Sequence, residues 1–385
     1  MKDRLLAAGL LLALASCATA PPSGATSSPS GTATPPEATP TEPVPRDPGL
    51  ADAPVPTGLQ IPWDLAFAPD GRMFVTERAG RILIFESGEP NAARLATVAV
   101  PGVHAQGESG LMGIALDPDF SSNGFVYVCA TRAEEGQLRN QVLRYRAERN
   151  TLTPDGFVIR EGMRAGVIHD GCSIRFGPDG RLWVTMGDAS MSQLAQDPAS
   201  LNGKVLRVNA DGSVPADNPL LPDTGAPSAV FTWGHRNPQG IAFQPGTGVP
   251  FLIEHGPDED DEINVLRDGV NYGWPVVTGA DPERRFADPA WASGSPTLAT
   301  AGGTFLVGAN WGTWAGSLIV ATLKESDLRR FTVSGGAVTP AEVLLDRKYG
   351  RLRTPVLGPD GHLYVTTSNG QGDRIVRVTA RQPGG

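Results

Sequence analysis

The sequence predicts an all-β fold, and its composition, its recurring turns and its short apolar strands are the observations that lead to this prediction. The chain has 385 residues, of which 47 are Gly and 35 are Pro, while only 6% are aromatic. Such a composition implies frequent turns and few long helices, and it argues against a helical bundle. The length suffices for one large domain or two.

The amino terminus has the features of an export signal. Lys2 and Arg4 precede an apolar run from Leu5 to Ala15, which is too short to span a bilayer. The run ends in Leu-Ala-Ser-Cys and resembles the lipobox of bacterial lipoproteins. We therefore expect residues 1–16 to be a signal peptide and the exported protein to be lipid-anchored at Cys17, on the periplasmic or extracellular face of the cell envelope. The alternative is an ordinary secretory signal with an incidental cysteine.

A stretch rich in Pro, Ser and Thr follows this signal. Eleven prolines lie between Ala18 and Thr57, and no aromatic residue occurs before Trp63. Because such a stretch cannot bury enough apolar surface to offset its ordering entropy, a disordered tether is predicted over residues 17–57. The folded domain is then expected over residues 58–382.

One unit, a Pro-Asp-Gly turn followed by a strand of alternating pattern, recurs along this domain. The clear copies are FAPDGRMFVTE (67–77), FGPDGRLWVTMGD (176–188) and LGPDGHLYVTTSN (357–369), and degenerate copies lie at 116–130, 243–257 and 314–324. Proline fixes φ, glycine allows the tight corner, and β-branched or aromatic residues favour the strand. Six such units, 45 to 69 residues apart, predict a six-bladed β-propeller. A site is expected where loops of different blades meet at one end of the axis.

The charge balance excludes one class of partner. There are 32 Lys and Arg against 41 Asp and Glu, a formal net charge of −9. Such an acidic chain offers no electrostatic footprint for nucleic acid or for an anionic membrane surface, so contact with a membrane is expected only through the lipid anchor.

Three cysteines are too few for a disulfide framework or a site of four thiolates, so any metal must be held mainly by oxygen or imidazole. With Cys17 lipidated, Cys129 and Cys172 are the only thiols left in an oxidising envelope. They lie in neighbouring units, and we expect a disulfide between them. Two separately buried thiols are the alternative.

Two segments carry candidate catalytic and ligand-binding side chains. His169 comes just before a strand that runs inward, so its side chain is placed to project toward the propeller axis. An imidazole in that position can act as a general base near neutral pH. Arg236 and Asn237 precede a Pro turn and can present a planar cation and an amide to an acidic, carbonyl-bearing ligand. The alternatives are a structural histidine and an arginine that satisfies loop carbonyls.

Two further segments are strongly charged. Five acidic residues in a row, Asp258 to Glu262, repel one another unless they are solvated or bound to a hard cation such as Ca²⁺. Lys324, Arg351 and Arg353 lie at junctions of loops and strands in the last two units and could converge on an anion near the axis. A solvated acidic loop and ordinary surface cations are the alternatives.

The combination of motifs is more specific than its members. HxGxxIxFGPDGxLxVxxGD (169–188), QDxxSLNGKVLRVNxDGSxPxDNP (196–219), GHRNPQG (234–240), HGPxxxDEIN (255–264) and NYGWP (271–275) occur in this order. Together they resemble the soluble pyrroloquinoline quinone (PQQ)-dependent sugar dehydrogenases, the aldose and glucose dehydrogenase family with six-bladed propellers. The resemblance covers about Gly58 to Ala380. It implies oxidation of an aldose at C1 to a lactone, with bound PQQ and Ca²⁺ and an electron acceptor that the sequence does not name.

The resemblance also implies a role for each matching residue. His169 would be the general base that accepts the proton of the C1 hydroxyl while hydride passes to the quinone. Arg236 and Asn237 would contact the cofactor, with Arg236 against the reactive quinone oxygen, where charge develops. The residues implied to hold PQQ and its carboxylates are Lys324, Arg351 and Arg353.

Calcium ligands are implied in the same way. The carbonyl groups of Gly256 and Pro257 would bind the Ca²⁺ under the cofactor, which acts as a Lewis acid. A second, structural Ca²⁺ would use Glu262 and Tyr272.

Two positions depart from the family pattern. Glu108 stands where the family often has Gln, and a carboxylate repels an anionic cofactor unless it is protonated or paired with Arg or Lys. Glu108 remains a candidate cofactor contact on this condition. Ile168 stands where some members carry an acidic residue, so His169 has no orienting partner from its neighbour.

Two other functions compete with the dehydrogenase. A Ca²⁺-dependent propeller lactonase would use similar acidic and histidine loops without a quinone, but it leaves Lys324, Arg351 and Arg353 together without a role. A lipid-tethered propeller that binds glycans or a partner without catalysis is favoured if Glu108 and Ile168 prevent cofactor binding.

Overall fold

The structure is a computed structural model that describes residues 47–134, 136–221 and 227–381. Its strands form six antiparallel sheets of four strands each, and the predicted six-bladed β-propeller is confirmed. Short helices occur at α1 (Phe120–Asn123) and at two 3₁₀ segments, Ser192–Ala195 and Ala309–Trp314. No described helix is long and apolar enough to cross a membrane.

The strands follow the chain blade by blade, except that β1 (Gly49–Leu59) belongs to the last blade. Blade 1 contains β2 (Pro62–Phe67), β3 (Met73–Glu77), β4 (Arg81–Phe85) and β5 (Arg94–Ala99). Blade 2 contains β6 (Leu111–Leu116), β7 (Phe125–Glu134), β8 (Gln137–Glu148) and β9 (Thr151–Ile159). Blade 3 contains β10 (Gly171–Phe176), β11 (Leu182–Met186), β12 (Lys204–Val208) and β13 (Val230–Trp233).

The other three blades have the same order. Blade 4 contains β14 (Pro238–Phe243), β15 (Pro250–Glu254), β16 (Glu262–Val265) and β17 (Trp291–Ala292). Blade 5 contains β18 (Thr300–Phe305), β19 (Leu318–Thr322), β20 (Leu328–Ser334) and β21 (Ala337–Leu344). Blade 6 contains β22 (Leu352–Leu357), β23 (Leu363–Thr367), β24 (Asp373–Arg381) and, at its outer edge, β1.

The Pro-Asp-Gly turns connect the first and second strands of blades 1, 3 and 6. In the first copy the amide of Gly71 donates to the carbonyl of Ala68 at 2.9 Å, and the amide of Ala68 donates to the carbonyl of Arg72 at 2.8 Å. Gly71 has φ of +93°, a region that favours glycine. The repeated motif therefore predicts a hairpin corner correctly, with the residues of β3 buried on both faces between neighbouring sheets.

The ring is closed by a strand that the sequence analysis assigned to the tether. β1 pairs antiparallel with β24, from Gly49 opposite Arg381 to Leu59 opposite Asp373. The propeller thus begins at Gly49, and the predicted boundary at residue 58 is corrected. Proline is tolerated in a strand at a sheet edge because no ladder hydrogen bond is lost there, so Pro54 does not prevent this pairing. The predicted signal peptide and the first part of the predicted tether, residues 17–46, lie outside the described residues.

The core lies between neighbouring blades. Phe74 and Ile84 of blade 1, for example, pack in one buried cluster with Ile114 and Val128 of blade 2. Cys129 of β7 and Cys172 of β10 form a disulfide with their Cα atoms 6.0 Å apart. This confirms the predicted disulfide, which joins blade 2 to the inner strand of blade 3, three residues after His169.

Candidate active site

A cavity of about 290 Å³ lies at the end of the propeller where the inner strands begin. Five blades contribute to its wall, which explains why the residues are far apart in the sequence. The lining residues are Ile61, Arg78, Gly107, Glu108, Gln239, His255, Ala299, Leu323, Arg351, Arg353, Ser368, Asn369 and Gly370.

The side chain of His169 is oriented by a carboxylate from the same blade. Its Nδ1 lies 2.8 Å from Oδ1 of Asp188, which is almost fully buried. Because a carboxylate only accepts hydrogen bonds, this contact assigns the proton to Nδ1 and leaves Nε2 able to accept one. The backbone amide of Ser190 donates to Oδ1 of Asp188 at 2.7 Å, and the indole of Trp274 donates to Oδ2 at 2.8 Å.

Asp188 was missed as a functional residue, although the hairpin contains the signal that finds it. Gly171 pairs with Met186 across β10 and β11. His169 and Asp188 each lie two residues beyond this pair, so an antiparallel hairpin places them opposite each other. The orienting partner therefore comes from the far end of the repeat, not from the neighbouring position 168.

Glu108 links His169 to blade 4. Its Oε2 accepts hydrogen bonds from the amide of His169 at 2.9 Å and from Nδ2 of Asn237 at 3.1 Å. Nε2 of Gln239 lies 3.4 Å from the same oxygen. Glu108 lines the same cavity as Arg351 and Arg353, and its charge raises the pKa of Arg353 against the effect of burial. The hydrogen bonds of its carboxylate go to His169, Asn237 and Gln239, so the ion pair with Arg or Lys that the sequence analysis required is not seen among the described residues.

Asn237 is a supporting residue in this arrangement. Only 1% of it is exposed, and it does not line the cavity. Its Oδ1 accepts from the amide of Gly171 at 3.2 Å and from Nε2 of Gln239 at 3.0 Å. Asn237 thus connects the start of β10 with Glu108 from behind the cavity wall.

The segment before His169 is fixed by a buried acid. Asp170 accepts hydrogen bonds from Ser109, Asn140 and the amide of Gly166 at 2.8, 3.0 and 3.0 Å. Burial raises the pKa of Asp170 to about 6. These contacts hold the loop that contains His169 against blade 2.

The three predicted cations do not occupy equivalent positions. Arg353 is 5% exposed, its Cζ lies 3.6 Å from the ring centroid of Trp63, and its Nη1 donates to Gln239 at 3.1 Å. Its Nε is buried with no hydrogen-bond partner among the described residues, and burial lowers the pKa of Arg353 to about 9. Arg351 lines the same cavity but is exposed, whereas Lys324 is exposed and does not line it.

Further residues of the cavity wall were missed by the sequence analysis. Arg78 directly follows β3, and Asn369 ends the third clear copy of the repeat, so both stand at the loop end of an inner hairpin. Gln239 and His255 belong to motifs that were singled out for their neighbours. What could have indicated these four residues as parts of the cavity wall is their position at the same end of the strands. Their residue types alone do not indicate it.

Arg236 contacts the carbonyl groups of the HGP segment. Its Nη1 donates to the carbonyl of His255 at 3.0 Å and to that of Gly256 at 2.7 Å. Its Cζ lies 5.5 Å from the ring centroid of Trp274. Burial lowers the pKa of Arg236, although the charges of Asp188 and Glu254 oppose this shift.

The four residues predicted to bind two separate Ca²⁺ ions lie around one small void beside this arginine. Its walls include Gly256, Pro257, Glu262 and Tyr272 together with Glu254. Burial, reinforced by the charge of Glu254, raises the pKa of Glu262 to about 8. In the described part of the chain, no group of three or more His, Cys, Asp or Glu side chains is arranged to hold a metal.

Two contacts limit which oxygens face this void. The hydroxyl of Tyr272 donates to the carbonyl of Val265 at 2.7 Å, so its backbone carbonyl is the better candidate ligand. The carboxylate oxygens of Glu262 accept from Asn264 at 2.9 Å and from the amide of Gly279 at 2.8 Å. Each carboxylate oxygen retains a further lone pair.

The chain is similar to known proteins over most of its length. A model of the family described as Glucose / Sorbosone dehydrogenase matches residues 59–377. Aldose sugar dehydrogenase YliI of Escherichia coli (strain K12) is 31% identical over 341 residues, which cover 84% of this chain and 91% of that protein. Quinoprotein glucose dehydrogenase B of Acinetobacter calcoaceticus is 36% identical over 261 residues, 60% of this chain and 53% of that protein. The solved PQQ-bound form of aldose sugar dehydrogenase from Streptomyces coelicolor is 34% identical, with a TM-score of 0.75 over 88% of this chain and 100% of that chain.

Proposed function

This chain belongs to the Glucose / Sorbosone dehydrogenase family, and from that premise we propose that it oxidises aldose sugars at C1 to lactones with bound PQQ and Ca²⁺. The observation that carries the proposal is the arrangement of His169. Its Nε2 is free to accept a proton, because Nδ1 contacts Asp188. Its backbone amide donates to Glu108, a wall residue of a cavity that contains three arginines. A proton acceptor is thus bonded through its backbone to an anion-binding wall, although His169 itself does not line the cavity.

The cavity fits an anionic cofactor. The side chain of Arg353 is buried with one unpaired nitrogen, and a buried cation of this kind is costly unless an anion compensates it. Arg78 and Arg351 add positive charge to the same wall, against one carboxylate from Glu108. A cavity of about 290 Å³ is close to the lower end of the range for small-molecule sites, which is about 300 Å³. We propose that Arg78, Arg351 and Arg353 hold the PQQ carboxylates, whereas Lys324 contributes only if its exposed side chain turns inward.

The neighbouring void fits a hard cation. The carbonyl groups of His255 and Gly256 already converge on a positive charge, that of Arg236. Glu254 and Glu262 face the same void, and a cation there would relieve the repulsion between them. We propose that Gly256, Pro257, Glu262 and the carbonyl of Tyr272 supply oxygen ligands for Ca²⁺, the type of ligand this ion prefers.

In the proposed reaction PQQ supplies the hydride acceptor and Ca²⁺ supplies Lewis acidity. Nε2 of His169 accepts the proton of the sugar C1 hydroxyl, so that the C1–H bond can break as a hydride. Asp188 retains the Nδ1 proton and stabilises the imidazolium that forms. Glu108 fixes the backbone of the base through the amide of His169. Arg236 provides a positive charge beside the site where negative charge develops.

Reconstitution tests this proposal. Purified protein mixed with PQQ and Ca²⁺ should keep the quinone absorption through gel filtration and reduce an artificial dye in the presence of aldoses. Arg353→Met should weaken PQQ binding about 10- to 100-fold, because a hydrogen bond to a charged group contributes about 1.5–3 kcal/mol. Arg347→Met is the matched control, since the side chain of Arg347 is 76% exposed.

Each outcome of the reconstitution distinguishes the competing functions. A protein that binds no PQQ but hydrolyses lactones with Ca²⁺ is a lactonase. A protein that binds neither PQQ nor lactones but retains glycans is a binding module. Equal PQQ affinity of Arg353→Met and wild type would show that the buried arginine is not the anion-binding group.

We also propose that the protein is exported and anchored by a lipid at Cys17, with the chain from Ala18 to Pro48 as the spacer. The support is the lipobox and the Pro-rich composition before β1. Mass spectrometry of the mature amino terminus should find an acylated cysteine, and Cys17→Ala should move the protein to the soluble fraction with an unchanged melting temperature. A mature chain that begins at another residue would overturn this proposal.

A further inference from the structure

Trp274 lies between the two groups that the proposed reaction uses. Its indole Nε1 donates to Oδ2 of Asp188 at 2.8 Å, and the guanidinium Cζ of Arg236 lies 5.5 Å from its ring centroid. Asp188 and Arg236 are also joined directly, because the amide of Asp188 donates to the carbonyl of Arg236 at 2.8 Å. One side chain therefore contacts both the acid that orients His169 and the arginine beside the carbonyl groups of the HGP segment.

The position of Trp274 is fixed by hydrogen bonds from two other segments. Its amide donates to the carbonyl of Gly234 at 3.0 Å, and its carbonyl accepts from Nε2 of Gln196 at 2.6 Å. Gln196 and Asn271 exchange two side-chain hydrogen bonds, at 3.1 and 2.8 Å. The backbone of Trp274 is thus held on both sides, by Gly234 and by Gln196.

The loop that carries Gln196 is itself anchored. Lys204 is fully buried, and its Nζ donates to the carbonyl groups of Leu194, Ala195 and Asn202 at 2.8, 3.1 and 2.7 Å. These three bonds tie the 3₁₀ segment before Gln196 to the start of β12. Hydrogen bonds therefore connect Trp274, through Gln196 and the adjoining 3₁₀ segment, to strand β12 of blade 3.

We propose that Trp274 is a positioning residue whose N–H fixes the carboxylate of Asp188 and whose ring face supports the guanidinium of Arg236. This positioning role rests on the proposed function, which gives the contacts with Asp188 and Arg236 their catalytic meaning. The base and the cofactor-contacting arginine are then oriented by one rigid side chain, which ties the position of the proton acceptor to that of the positive charge.

The N–H contact has a consequence for the titration of His169. Asp188 is 1% exposed, and Oδ2 has the indole as its donor, whereas Oδ1 is shared by His169 and Ser190. Removing the indole donor leaves a buried oxygen unsatisfied, and the carboxylate then attracts the proton on His169 more strongly. The pKa of His169 should rise, since the other charged groups around it are unchanged. These groups are Glu108, Arg236 and the neighbouring imidazole of His255.

Two substitutions separate the two contacts. Trp274→Phe keeps an aromatic face for Arg236 and removes the N–H, whereas Trp274→Leu removes both. We expect Trp274→Phe to raise the pKa of His169 by about one unit, on the scale of one lost hydrogen bond to a charged group. It should lower kcat about 10-fold and leave PQQ affinity close to that of wild type. Trp274→Leu should in addition weaken PQQ binding about 2- to 5-fold, because a cation–π contact contributes about 0.5–1 kcal/mol.

The titration of His169 is measured by NMR of the histidine side chains in protein without added cofactor, which is feasible because the chain has only 5 histidines. Trp183→Phe is the matched control. Its indole also donates to a carboxylate, that of Asp179 at 3.3 Å, but at the opposite end of the propeller. This control should leave both the titration of His169 and PQQ binding unchanged.

The outcomes keep this proposal apart from the proposed function. If wild type binds no PQQ, the dehydrogenase fails, and the NMR shift in Trp274→Phe still decides whether Trp274 acts on the His169–Asp188 pair. An unshifted His169 titration in a folded Trp274→Phe protein would overturn the positioning role. A lowered melting temperature without any change in titration or kcat would show that Trp274 only stabilises the fold.

Discussion

His169→Gln should lower turnover by about 10²- to 10⁴-fold, the usual contribution of a positioned general base. Hydride leaves C1 readily only if the C1 hydroxyl loses its proton in the same event, and Gln cannot accept that proton. The structure sharpens this expectation, because Nδ1 of His169 is committed to Asp188 and only Nε2 remains to act. The measurement is dye reduction by the reconstituted protein over a panel of aldoses.

The same variant should still bind PQQ and Ca²⁺. Arg353 and Arg351 lie in the cavity wall and Glu262 lies at the neighbouring void, and none of them depends on the imidazole. Retained quinone absorption after gel filtration checks this point. His362→Gln serves as the control, because His362 lies in a Pro-Asp-Gly turn at the opposite end of the propeller. Loss of both cofactor and activity would show that His169 is structural, and wild-type turnover would place the base elsewhere.

Removal of the disulfide should produce the largest change in stability. Cys129 and Cys172 are fully buried and 43 residues apart in sequence. On the chain-entropy model, a cross-link that closes such a loop stabilises the folded state by about 4 kcal/mol. For a domain of this size the double variant Cys129→Ala/Cys172→Ala should therefore melt about 6 °C lower than wild type.

The measurement is thermal unfolding followed by circular dichroism, with Cys17→Ala as a control that leaves the disulfide in place. Thiol titration of wild type in denaturant without reductant should find neither Cys129 nor Cys172 free. Two reactive thiols, or equal melting temperatures for wild type and the double variant, would contradict the prediction.

The architecture was accessible from the sequence because its determinants are local. A Pro-Asp-Gly corner, as at Pro69 to Gly71, defines a hairpin from residues that touch one another along the chain. Each clear or degenerate copy of the turn-and-strand unit marks one blade, so the number of blades could be counted. The disulfide was predictable for a related reason, since Cys129 and Cys172 belong to consecutive units whose strands must pack together.

The closure of the ring was decided by a pairing across nearly the whole chain. Gly49 lies opposite Arg381, and no local pattern in the Pro-rich segment signals this partner. The backbone groups of β1 are satisfied only when β24 is present, so this segment acquires its structure from the fold and not from its own composition.

The sequence indicated several residues of the candidate site, and the structure shows how they are arranged. Motifs identified His169, Arg236 and Arg353, because their combination in one order resembles a family pattern, although each residue alone has a structural alternative. The folded chain adds that Asp188 lies 2.8 Å from Nδ1 of His169, a contact that the hairpin register could have indicated.

The fold also determines how each predicted charge behaves. Arg353 is buried beside Trp63, and its Nε has no hydrogen-bond partner among the described residues, whereas Lys324 of the same predicted set is exposed to solvent. Sequence specifies which side chains are available. The pKa values and contact partners of these side chains depend on burial and on distances between residues that are remote in sequence. Both quantities are set by how the blades close around the axis.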